Sequence, residues 1–318
     1  MTILKSIFLF ILFQSLTLLP NFAQHVIDSK PSSISDEVFP DTLNKPLLKK
    51  IKLGVGITYT AAMSVLAYSW YNYKEAKIAT FHVFNDNGEY LQMDKFSHAF
   101  ATYHIGSKTF IGLRRAGVPE NKAILYSSLS GFLLWTPIEL VDGFFDVYGF
   151  SPGDVVANAS GSALFGLQQA IFKEQIIKMK FSFFPTDFKK YSDKAQRKGR
   201  LSFAGHIFDY NAQTYWFSGN LHKVFYQAPP WLCVSVGVGA KGMVDMFKNP
   251  LVNPQGLPLP QFERYKQILF SLDIDLTKVK TRNHTLKKVF NTLNMLKIPA
   301  PTLEWNRIDG IKFHPIYF

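Results

Sequence analysis

The spacing of apolar and polar positions divides the chain in two. In the first half, three long stretches carry no charge: Leu53 to Tyr71, Ala123 to Ile138 and Val155 to Phe172. At about 1.5 Å per residue the first is just long enough to span the hydrocarbon core of a bilayer as a helix. All three are diluted by small residues, among them Gly54, Gly56, Ser127, Ser128, Gly131, Ser160, Gly161, Ser162 and Gly166. Small residues let helix backbones approach closely where apolar burial gives no net drive. The pattern predicts a small-residue-rich domain of about four helices, embedded in a membrane or lying against one. Between its first two helices, Thr80 to Met93 reads as a hairpin. Phe81 and Val83 would lie on one strand, Tyr90 and Gln92 on the other, and Asn85-Asp86-Asn87-Gly88 would form the turn. A calcium loop at that turn lacks its closing glutamate.

Past Arg200 the period falls to two. Ile268, Phe270, Leu272, Ile274 and Leu276 point one way, and Gln267, Ser271, Asp273, Asp275 and Thr277 the other. Leu232, Val234, Val236, Val238 and Ala240 alternate in the same manner with Cys233, Ser235, Gly237 and Gly239. Leu201–Tyr210, Thr214–Leu221, Thr302–Trp305 and Ile311–Phe318 are further candidate strands, and Thr285–Leu296 a helix. The fold class is therefore α+β, helical first and antiparallel β-rich afterwards. Strands ending in a terminal Phe318 are similar to those of outer-membrane barrels. Five or six fall short of eight, which leaves a half-barrel sheet with a covering helix as an equal reading. Asp273 and Asp275 read as a solvated or lumen-facing edge rather than a catalytic pair.

The N-terminus reads as an address. Met1–Lys5 is a short basic n-region, Ser6–Leu19 an apolar h-region, and Asn21-Phe22-Ala23-Gln24 a cleavage site, so residues 1–23 are expected to be a signal peptide, with an uncut anchor as the alternative. Residues 24–48 form a flexible lead-in, 49–172 the helical domain, 173–200 a basic link and 201–318 the β-rich region. The 318 residues carry 35 Lys and Arg against 23 Asp and Glu, a net charge of +12, and the link from Lys173 to Arg200 supplies half of that excess. Basic groups interleaved with Phe181, Phe183, Phe184 and Phe188 suit an anionic membrane surface, and no nucleic-acid motif accompanies them. One cysteine, Cys233, excludes an intrachain disulfide and a cysteine-based zinc or iron–sulfur centre.

The polar residues that interrupt the helical stretches carry the candidate chemistry. Asp94 and His98 are four apart, Glu139 and Asp142 three apart, and Asp154 and Asn158 four apart, so each pair shares a helix face. A carboxylate one turn from an imidazole can orient it, or both can reach one metal. Capping competes with this reading. Thr136-Pro137-Ile138-Glu139 and Ser151-Pro152-Gly153-Asp154 have the form of capping boxes with Pro at the first helical position, and Asp94 can serve as an N-cap. His98, Asp142 and Asn158 are not accounted for by capping. The expected site is thus a polar cluster of Asp94, His98, Glu139, Asp142, Asp154 and Asn158, with Asp94, His98 and Asp142 as ligands should a divalent metal be the cofactor.

These residues carry a resemblance. Asp94-Lys95 with His98, Glu139 with Asp142, and Phe150-Ser151 with Asp154, Asn158 and Gly161 resemble the pattern of the YfiM-like family of predicted periplasmic lipoproteins, a bacterial group of no established function. More distantly they resemble the VanZ-like membrane proteins. The likeness covers Tyr90 to Gln169, and Tyr210–Trp216 looks like a segment of longer members. It departs at the N-terminus, where no lipid-accepting cysteine stands. The resemblance implies an exported cell-envelope protein, in the periplasm or associated with the inner or outer membrane, with a polar helical core.

No nucleophile elbow, zinc-protease helix or phosphate-cradling loop is present. Two functions are therefore open. One is a site for hydrolysis or transfer on an envelope lipid or glycan, with His98 as base or metal ligand. The other is a non-enzymatic envelope scaffold or binding protein whose polar cluster is structural.

Overall fold

A computed structural model describes residues 39–318 apart from 73–76, 185, 192–208 and 254. The expected signal peptide, most of the lead-in, the end of the basic link and most of the candidate strand Leu201–Tyr210 lie outside the described residues. The chain forms two compact units, a helical one (Met1–Asn85, His98–Gln175, Lys280–Thr292) and a sheet one (Asp86–Ser97, Ile176–Val279, Leu293–Phe318). The class is α+β, as the change of period requires.

Among the described residues, five helices make up the N-terminal half: α1 Lys45–Asn72, α2 Met93–Arg115, α3 Glu120–Trp135, α4 Pro137–Asp142 and α5 Pro152–Phe172. Asn44 starts α1 by accepting the Leu47 N–H on its side chain at 2.9 Å. Ser151 starts α5 by accepting the Asp154 N–H at 3.0 Å, with Pro152 behind it, so that capping device forms as expected. The device expected at Thr136 does not. Thr136 keeps helical angles and its side chain makes no capping bond, so α3 runs almost directly into α4 and only Pro137, which has no N–H to give, breaks the ladder. Together they span Glu120–Asp142, long and apolar enough to cross a membrane by length and composition.

The small residues let α2, α3 and α5 touch. A Cβ on Gly161 would stand 2.0 Å from the Ala99 carbonyl oxygen, and one on Gly131 would stand 2.4 Å from that of Thr102. Around this crossing Ala62, Ala101, Ile105, Trp135 and Ile138 form a buried cluster, flanked by Val55, Tyr59, Met63 and Tyr148. The opposite faces of the helices leave Leu125, Leu129, Leu133, Val156, Leu167 and Ile171 exposed.

The expected hairpin at Thr80–Met93 is not formed. Residues 77–84 pair instead with 143–150, through Ala79 N–H to Phe144 O, His82 N–H to Gly143 O, and reciprocal bonds of Phe84 and His82 with Phe150. Phe81 packs its ring on Phe144 and Phe150, a burial the short hairpin could not provide. Glu89–Gln92 turns as a 3₁₀ segment leading into α2.

The sheet unit is a six-stranded antiparallel meander in chain order: β1 Ile177–Phe183, β2 Gln213–Asn220, β3 Leu232–Lys241, β4 Tyr265–Ile274, β5 Ala300–Asn306 and β6 Gly310–Tyr317. Strand β1 falls inside the expected basic link, because Ile177, Met179, Phe181 and Phe183 alternate with Lys178, Lys180 and Ser182 strongly enough to make a strand despite the charge. One more helix, α6 His284–Leu293, precedes β5. The outer edge of β1 is covered by Met295–Lys297, which bond to both sides of Phe181 at 2.8 Å. Strand β6 is the free edge among the described residues.

The polar positions of this sheet face inward. Asp273 and Asp275, expected at a solvated or lumen-facing edge, are buried on the inner side. Lys180 Nζ lies 2.7 Å from Asp273, whose carboxylate also accepts from Ser218, and Lys178 lies 2.7 Å from Asp275. Lys297 donates to the carbonyls of Leu272 and Ile298. Glu304 takes bonds from Gln267, Asn306 and His314. Cys233 is buried in the same layer, where burial and the neighbouring Asp275 push its thiol up from its ordinary range.

Candidate functional site

The helices bring Glu139, Asp154 and Asn158 to one imidazole. His98 projects from the second turn of α2, Glu139 and Asp142 from α4, and Asp154 and Asn158 from the first two turns of α5. All five side chains are 0–3% exposed. Their convergence follows from the Gly161 crossing. Ala99, next to His98, is the residue that Gly161 abuts, and Asn158 lies one turn before Gly161. The close approach of α2 and α5 therefore brings His98 Nδ1 to 3.1 Å from Asn158 Oδ1.

Both ring nitrogens face carboxylates. Nδ1 is 3.8 Å from Glu139 Oε1, and Nε2 is 3.8 Å from Asp154 Oδ1. Trp135 adds a competing partner, its indole N–H donating to Nδ1 at 3.2 Å. An indole N–H can only donate, and a carboxamide oxygen can only accept. One nitrogen cannot serve both. With Nδ1 bare toward Trp135, the proton is on Nε2 and points to Asp154. With Nδ1–H donated to Asn158, Nε2 faces Asp154 either as the second N–H of an imidazolium or as a lone pair open to a cation between them. Asn158 Nδ2 is buried without a hydrogen-bond partner.

Asp94 belongs to the first turn of the same continuous helix as His98. It is not the N-cap that the sequence suggests, since α2 begins at Met93. Its Oδ1 accepts a short hydrogen bond from the Tyr210 hydroxyl, and Lys95 Nζ lies 3.7 Å from its other oxygen. Burial and the Asp94 charge raise the Tyr210 hydroxyl well above its ordinary range, so Tyr210 stays a donor. Asp142, expected as a ligand beside His98, is buried at the end of α4.

The structure thus gathers His98, Glu139, Asp142, Asp154 and Asn158 in the helical unit, with Asp94 one turn before His98. The sequence reading omitted Trp135 and Tyr210 from the site. Trp135 was legible, since it is four residues before Glu139 and shares its face. Tyr210 stood out only as the start of a segment like that of longer family members, and nothing local tied it to Asp94, far away along the chain.

Residues 82–170 match the model of a family described as predicted periplasmic lipoproteins (DUF2279). All of the polar cluster falls within that span, and Tyr210 outside it. The chain is an exported, envelope-associated protein. No match was found among curated proteins or among solved structures.

Proposed function

We propose that the helical unit of this envelope protein is built around a buried divalent cation held by His98 Nε2 and the Asp154 carboxylate. Glu139, Asp142 and Asn158 would orient and neutralise that shell. The observation that carries the reading is the geometry at the buried imidazole: Nδ1 lies 3.1 Å from Asn158 Oδ1 while Nε2 faces Asp154 Oδ1 at 3.8 Å. A divalent ion would use the Nε2 lone pair and leave Nδ1–H to Asn158 in the outer-shell role that ligating histidines require. Oxygen-rich ligation with one imidazole suits a borderline or hard ion such as zinc, manganese or calcium.

Burial favours a structural ion over catalysis on an envelope lipid or glycan. Side chains that are 0–3% exposed admit a bare ion but no sugar or headgroup. On this reading the protein is a non-enzymatic scaffold of the envelope, akin to the YfiM-like proteins, whose helical unit the cation holds together.

Elemental analysis of the purified chain tests the proposal. About one divalent ion per chain is expected, lost in His98→Ala and in Asp154→Asn while the helical circular dichroism persists. Metal-free wild-type protein that refolds fully in chelator and takes up no ion on dialysis against zinc, manganese or calcium sinks it.

A further inference from the structure

The sheet unit has its polarity inside out. Its inner side holds Lys180, Asp273, Lys297, Gln267, Glu304 and Asn306, each at most 3% exposed. The register sets their neighbours on the outer side: Val234 and Val236 on β3 oppose Leu272 and Phe270 on β4, and Leu303 and Trp305 on β5 oppose Phe313 and Ile311 on β6. These outer side chains are 39–76% exposed, and no charged residue stands among them. A sheet that finishes against water puts its apolar face into the core. Here the apolar face is the outside, the distribution found where the surrounding medium is lipid.

Three further features define that medium. Phe225, Tyr226 and Trp231 lie exposed before β3, at one end of the strands, and Trp305 at the other, side chains that favour the headgroup level of a bilayer. Beyond Trp305 the rim carries Arg264, Lys266 and Arg307, with Glu263 paired to Arg307 at 2.9 Å, a net basic margin that complements phosphate headgroups. From Ile268 to Ile274 the apolar side of β4 runs about 20 Å at roughly 3.3 Å per residue, a continuous patch for contact with acyl chains. Among the described residues β6 leaves one edge unpaired, which hydrocarbon does not tolerate, so the face would meet the acyl chains from the interface.

We infer that the outward face of β3–β6 is a membrane-docking surface whose partner is a bilayer with anionic headgroups. It is independent of the cation site. Full-length protein carrying Cys233→Ala and Phe270→Cys, labelled at the new thiol with an environment-sensitive fluorophore, tests it. On adding vesicles of phosphatidylethanolamine and phosphatidylglycerol, the emission is expected to shift to the blue and become shielded from iodide. In flotation, Leu272→Ser with Leu303→Ser is expected to weaken vesicle binding by at least about tenfold, since each removes an apolar side chain from lipid contact. A label at 270 that stays open to iodide with vesicles present overturns the inference, even if the protein floats. So does a label shielded without vesicles and exposed on dilution, which would assign the face to a second copy of the chain.

Discussion

Gly161→Ala is the smallest change that bears on both the packing and the site. The added methyl carbon would stand 2.0 Å from the Ala99 carbonyl oxygen and 2.3 Å from Thr102 Oγ1. The first of these is backbone, so no side-chain rotation relieves it. Restoring an ordinary contact of 3.4 Å requires α2 and α5 to separate by about 1.4 Å. Overpacking of this kind costs about 1–3 kcal/mol. At about 2–4 °C per kcal/mol for a chain of this size, melting should fall by about 2–12 °C. A separation of that size also carries His98 Nδ1, now 3.1 Å from Asn158 Oδ1, out of hydrogen-bond range. Cation uptake should therefore fall with stability. The assay is thermal unfolding followed by circular dichroism, paired with elemental analysis. Gly56→Ala is the control, because nothing lies within 4 Å of its Cβ and alanine in a helix is favoured by about 0.5–1 kcal/mol. A Gly161→Ala protein as stable as wild type, with its metal intact, would refute the helix crossing from which the site is derived.

Other outcomes follow from single contacts. Asp154→Asn should abolish the stabilisation that wild type gains from added cation, about 2.7 kcal/mol at a hundredfold excess over Kd, read as a lost shift in Tm; an unchanged shift contradicts the ligand assignment. Trp135→Phe keeps a ring but removes the N–H that competes for His98 Nδ1, so titration calorimetry should show cation affinity rising by about 2–10-fold, and a fall would reverse the tautomer argument. Burial, set against the pull of Asp273, brings the Lys297 ammonium down from 10.5 to about 8. The folded chain then holds that proton less tightly than the unfolded one, so this residue makes stability rise with pH between about 8 and 10.5. In urea unfolding at several pH values, Lys297→Met should remove that part of the slope, and an identical slope contradicts it.

Much of the architecture is legible in the spacing of residues. The uncharged, small-residue stretches become α1, α3 and α5, and the strict alternation of β3 and β4 survives as register. Two local readings gave way to tertiary partners. Asn85-Asp86-Asn87-Gly88 has the composition of a hairpin turn, yet Phe81 gains more by packing between Phe144 and Phe150 than by facing Tyr90. Thr136 has the form of a cap, but the helix continues through it. Shared faces three and four residues apart pair Asp94 with His98, Glu139 with Asp142 and Asp154 with Asn158. Which carboxylate stands opposite which nitrogen depends on a crossing at Gly161 that no local pattern encodes. The direction of the alternating strands is likewise silent in the sequence, because a period of two names two faces without saying which one meets solvent.

The cation is the central claim, and its position can be observed directly. In crystals of the protein loaded with manganese or zinc, anomalous scattering at the absorption edge should give one peak within about 2.0–2.6 Å of His98 Nε2 and of a carboxylate oxygen of Asp154. A peak ligated by other residues, or a His98 whose Nε2 carries its proton to Asp154 with no density between them, would contradict the account.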